Sequence, residues 1–131
     1  MTKIILGFTA AVMVAAAFVG AAPAALAAPT APAAVIRTGS CSVSSTWKLT
    51  LKHDSGRIES DLEVQTPVAG QTWHFVMKDN GVRFAGGNKT TQADGSFSVT
   101  KFAANQPGMD NIRAKATNLT TGETCVATAA I

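Results

Sequence analysis

From Cys41 to Ile131 the sequence predicts an all-β protein, an antiparallel β-sandwich of about seven strands. Three observations carry this. Apolar and polar residues alternate with a period of two in most segments, as in strands with one buried and one wet face. Turn-forming Gly, Asp and Asn punctuate the chain about every eight to twelve residues. From Ser42 onward no segment shows a helical period.

The elements follow in order. "TWKLTLKH" alternates Trp47, Leu49 and Leu51 with Lys48, Thr50 and Lys52. The turn "DSG" (54–56) leads into "RIESDLEVQ", where Ile58, Leu62 and Val64 oppose Arg57, Glu59, Asp61 and Glu63, so the two segments read as a hairpin. "TPVAGQ" breaks the run. "TWHFVMK" places Trp73, Phe75 and Met77 on one side and His74, Val76 and Lys78 on the other. Asn80-Gly81 is a strong two-residue hairpin signal, because both residues accept positive φ, and "VRFAG" returns from it. "GNKTTQA" fits an edge strand or a loop. "DGSFSVTKF" is a turn and a strand carrying Phe97 and Val99, and "NQPGMD" is a loop. Ile112, Ala114 and Ala116 then alternate with Arg113, Lys115 and Thr117. After the turn "TTGE", Cys125, Ala127, Ala129 and Ile131 share one parity. A closed barrel would have the same spacing.

Ahead of this region the chain opens with Lys3, an apolar run from Ile4 to Gly20, and Ala25-Leu26-Ala27. A charged start, an apolar middle and an A-x-A exit form a secretory signal peptide. Residues 1–27 are expected to be removed, leaving no membrane anchor. Residues 28–40, "APTAPAAVIRTGS", show neither period and read as a flexible leader, and 41–131 form the domain. Loss of Lys3 leaves ten basic residues against eight acidic ones, net +2. These charges are scattered along the chain with no basic run, which argues against nucleic acid or an anionic membrane as partner.

There are two cysteines, Cys41 and Cys125. Export places them in an oxidising compartment, where two thiols pair. A CxxC redox site needs closer spacing, and a metal site needs more His or Cys than His53 and His74 supply. The expected bridge clasps both ends of the domain. Closing so long a loop is worth roughly 4–5 kcal/mol in the chain-entropy model.

"DGSFSV…NQPGMDNIRAKATNLTTGETC" resembles the latter half of immunoglobulin-like and fibronectin-III-like domains, which implies an immunoglobulin-like sandwich. "CSVSSTWKLTL", "GRIE" and "NLTTGETC" resemble a group of small secreted actinobacterial proteins, which implies a bacterial exported product and brings no activity with it. Antibody-type domains place their disulfide between central strands, with a Trp against it and a Tyr nearby. Here the cysteines are terminal and Tyr is absent, so the likeness concerns architecture alone.

The sequence holds no G-x-S-x-G, P-loop, H-E-x-x-H or dinucleotide motif. His53 beside Asp54 could form a catalytic pair, and His53 with His74 a metal site; a surface histidine next to a turn aspartate accounts for the pattern better. Glu59, Asp61 and Glu63 could be half of a cation site or a glycosidase pair, but alternation alone explains them. Trp47 and Trp73 could stack on a ligand, but their apolar parity points to the core. Asn88 and Asn118 head N-x-T triplets. The expectation is a secreted, monomeric, non-enzymatic binding module without cofactor, engaging an extracellular protein or ligand. The alternative is a small-ligand carrier or a protease-inhibitor-like sandwich.

Overall fold

The computed structural model describes residues 17, 19–23 and 33–131. The cleavage point after Ala27 lies outside the described residues. The domain is all-β, with eight strands: β1 (Val35–Ser40), β2 (Thr46–Asp54), β3 (Arg57–Gln65), β4 (Thr72–Asp79), β5 (Val82–Thr90), β6 (Ser96–Ala104), β7 (Asn111–Asn118) and β8 (Thr124–Ala130). They form two antiparallel four-stranded sheets, ordered β1-β2-β3-β6 and β5-β4-β7-β8. The chain crosses between the sheets after β3, β5 and β6, a Greek-key sandwich rather than a barrel.

The turns form where their residues tolerate positive φ. Ser55 and Gly56 (φ 51° and 78°) close β2–β3, and Asn80 and Gly81 (47° and 84°) close β4–β5, both as mirror-image turns whose twist matches the strands. The polar stretch after Gly86 belongs to β5, which runs unbroken to Thr90 as an edge strand.

Part of the expected leader is structured. Val35–Ser40 pairs along β2, from Val35 opposite Leu51 to Ser40 opposite Thr46. Its pattern is masked because the inward positions are Val35, Arg37 and Gly39. Arg37 stays exposed, its Nη1 donating to Ile36 O at 3.0 Å, and Gly39 has no side chain to signal its direction. Gly39 is required: Trp47 lies flat against it, and a Cβ there would meet the indole ring.

Between the sheets Leu49, Leu51, Ile58, Leu62, Val64, Trp73, Phe75, Met77 and Ile112 are buried. Trp73 of β4 meets Phe97 of β6 across the gap, with ring centroids 5.8 Å apart and planes tilted by 44°, a geometry that aromatic pairs favour. The small Ala114, Ala116, Ala127 and Ala129 complete the floor of the second sheet.

Cys41 and Cys125 are disulfide-bonded, with Cα atoms 4.3 Å apart, just under the usual range. The bridge ties the loop between β1 and β2 to β8. Around it Ser42 N–H donates to Thr124 O at 2.8 Å, and Thr124 N–H donates to Ser42 Oγ at 2.9 Å.

Candidate binding face on the second sheet

The residues singled out by the sequence do not converge. His53 lies on the first sheet and His74 on the second. Asp54 faces Arg57 at 3.1 Å, in an ion pair that closes the β2–β3 turn, and His74 Nδ1 shares a hydrogen bond with Asn88 Oδ1 at 2.8 Å. Among the described residues no three His, Cys, Asp or Glu side chains gather as a metal site would need. Trp73 is fully buried, whereas Trp47 is only half-buried. Asn118 is buried: its Nδ2 donates to Gln71 Oε1, and its Oδ1 accepts from the N–H groups of Thr120 and Thr121. It builds the β7–β8 turn instead of being presented to solvent.

Glu59, Asp61 and Glu63 lie on the outer face of the first sheet, where charges are matched across strands. Lys52 is opposite Glu59, Lys48 opposite Glu63 and Arg57 opposite Asp54, with Lys52 Nζ 3.8 Å from Glu59 Oε1. Such opposite-charge pairs are the stabilising arrangement in an antiparallel sheet.

The second sheet's outer face is organised the opposite way. Lys78 on β4 is directly opposite both Arg83 on β5 and Arg113 on β7. Lys115 follows two residues along β7, opposite Val76. No acidic side chain points out from this face among the described residues: Asp79 is turned inward, and β5, β7 and β8 contain no Asp or Glu. Among the described residues none of the four cations takes part in an ion pair. Directly opposed like charges destabilise a sheet, so this face carries a cost that the other face avoids.

The Asn80-Gly81 turn sets the fourth cation there, pairing Asp79 with Val82 and Lys78 with Arg83, and a β-bulge follows. The β4–β5 register shifts between Met77 and Lys78, so that Met77 faces Ala85 while Lys78 faces Arg83, with Phe84 as the extra residue. Without it Ala85 would share the outward parity of Arg83; with it Ala85 faces the inward Met77. Phe84 packs against the core, and the Arg83 guanidinium lies over Gly86. Charges that read as scattered along the chain are therefore gathered on one face by three strands and a tight turn.

Side chains converge over this face around two hollows. One, of about 220 Å³, is bounded by Val76, Lys78, Arg113 and Lys115. The other continues past Lys78 and Arg113 to Arg37 and Thr128.

Two acidic groupings escaped the sequence reading. The Glu123 carboxylate, 7% exposed, accepts the N–H groups of Val43, Ser44 and Ser45 at 3.2, 2.8 and 2.8 Å, and the Ser45 hydroxyl at 3.0 Å. Desolvation raises its pKa, but these bonds more than offset that and hold it below the ordinary value. At the other end, Asp79 and Asp110 are buried against each other, and no other donor reaches either Asp79 oxygen or Asp110 Oδ2, so the bond open to them is a proton shared between the two carboxyls. Burial, together with the hydrogen bond and charge of Asp110, pushes Asp79 up to about 6. A buried Glu reads in sequence like any turn residue, because its partners lie about eighty residues away.

Beside Asp79, a cleft of about 510 Å³ opens between the β4–β5 hairpin and the β6–β7 loop, with Val82, Phe84, Ala103 and Pro107 as apolar walls. That loop presents Met109, 63% exposed, and is pinned by Asn80 Nδ2 donating to Met109 O at 3.2 Å and Gln106 N–H donating to Asp110 Oδ1 at 3.1 Å.

No family model, curated protein or solved structure matches the chain. The class that the fold defines is an all-β sandwich of two antiparallel sheets with a terminal disulfide clasp. No helix of the described residues is long and apolar enough to cross a membrane.

Proposed function

We propose that the chain is exported with residues 1–27 removed and acts outside the cell as a non-catalytic binding module, its working surface being the outer face of the second sheet. The supporting observation is the stack of like charges at Lys78, Arg83 and Arg113. Uncompensated repulsion on one face, beside matched pairs on the other, is relieved when an anionic partner arrives. The disulfide clasp and the Glu123 cap favour a rigid presenting scaffold, and disulfide persistence suits an extracellular setting.

The test is a paired capture from culture supernatant. Immobilised mature protein is compared with a variant carrying Lys78→Gln, Arg83→Gln, Arg113→Gln and Lys115→Gln. Material held by the first, lost by the second and released by salt supports the reading. Equal capture by both proteins refutes it.

A second reading, a small-ligand carrier, is favoured by the apolar cleft beside Asp79. Saturable uptake of a hydrophobic dye, abolished by Val82→Asp, would favour it over the first.

A further inference from the structure

The proposed binding face has one point where cations converge instead of merely sharing a surface, and we infer that the hollow between Lys78, Arg113 and Lys115 is a site for a phosphomonoester group. The inference rests on the reading of this face as the working surface and names what it takes. Lys78 and Arg113 are directly opposite on neighbouring strands, and Lys115 lies two residues further on the same side. Opposed residues lie about 5 Å apart, and i,i+2 neighbours about 7 Å. Three long side chains rooted at those spacings can close on one group of tetrahedral size above Val76, which forms the floor of the 220 Å³ hollow. Arg113 supplies a planar fork that can bind two oxygens at once, and the two ammonium groups are left for the rest.

Charge selects among the oxyanions. A phosphomonoester carries about −1.5 to −2 at neutral pH, whereas a phosphodiester, a sulfate ester or a carboxylate carries about −1. Three converging cations with no carboxylate beside them match the dianion best. Exposure of Arg113 and Lys115 keeps the site accessible and its affinity modest and salt-dependent.

The experiment is an amide chemical-shift titration of the mature protein at about pH 7.5 and constant ionic strength, where the phosphomonoester is largely dianionic. The probes are methyl phosphate, dimethyl phosphate, methyl sulfate and acetate. Methyl phosphate should shift Val76, Lys78, Arg113 and Lys115 and bind about fivefold or more tighter than the three monoanions. Arg113→Gln should abolish that preference, and Lys48→Gln, on the opposite sheet, should leave it unchanged. Both substitutions are on exposed positions, and thermal melts verify folding. All four anions binding these residues equally would overturn the phosphate assignment while leaving the face as the working surface. No shift there with any anion would overturn both.

Discussion

The carboxylate of Glu123 accepts both the backbone N–H and the hydroxyl of Ser45, at 2.8 and 3.0 Å, across 78 residues of sequence. With the bonds from Val43 and Ser44 it fills a nest of donors one residue from β8. Glu123→Ala would strand three amides and a hydroxyl, and should lower stability by about 2–4 kcal/mol. Urea unfolding measures this; a loss below about 0.5 kcal/mol would show the cap to be incidental. Because the folded pKa lies below the unfolded one, the contribution is full above the ordinary carboxylate range and is lost as pH falls through the folded value. The gap between wild type and Glu123→Ala should therefore narrow in acid.

The pair at the opposite end titrates with the other sign. Asp79 is pushed from 3.8 up to about 6, first by burial and then by Asp110. The folded state holds that proton more tightly than the unfolded chain does. The stabilising effect is complete below the ordinary carboxylate value and disappears as pH rises through about 6. Asp79→Asn keeps a donor for Asp110 without the charge, so its stability relative to wild type should grow as pH rises from 3.8 to about 6. A difference that stays flat over that window in paired urea melts would contradict the assignment.

Replacing both Cys41 and Cys125 with Ala should cost about 2–5 kcal/mol and leave the sandwich intact, since every strand but β1 and β5 has its own row of buried residues. Circular dichroism should retain the β signature with a lower melting point. Non-reducing peptide mapping of the native protein should recover the linked pair.

Lys78→Glu should stabilise the fold and damage binding together. It would turn both like-charge pairs, with Arg83 and with Arg113, into attractive ones, worth about 0.5–1 kcal/mol in all. Added salt should raise the melting point of wild type relative to this variant. A destabilised Lys78→Glu would show that Lys78 has packing duties the register does not reveal.

Gly39→Val tests the edge strand. The new side chain would meet the Trp47 ring and should cost about 1–3 kcal/mol. Because Trp73 is fully buried in the core whereas Trp47 is half-buried, an emission shift would report Trp47 leaving its place.

Most of the fold was legible because alternation exposes which face of a strand is buried. The parities at Leu49, Ile58, Trp73, Phe97, Ile112 and Cys125 all match the buried positions, and Asn80-Gly81 marks its turn. β1 was missed where an edge strand substitutes Arg37 and Gly39 for apolar residues. Trp47 reads as core by parity yet is only half-buried, because it packs against that edge. The candidate face was not legible. Lys78, Arg83, Arg113 and Lys115 are spread along the chain, and only the pairing of β4 with both β5 and β7 brings them together. Register is a tertiary property, and a bulge adds a shift that no parity count anticipates.

The Asn80-Gly81 turn makes the face depend on a count as much as on a composition. Between that turn and Gly86 stand four residues, Val82 to Ala85, and the place of Arg83, second after the turn, decides which way it points. A single-codon deletion at Val82 would keep every cation in the gene while moving Arg83 opposite the inward-facing Asp79 and off the surface. When sequences of similar proteins are aligned, the spacing between that turn and the glycine pair that follows it is thus the feature to compare, ahead of the identity of any basic residue.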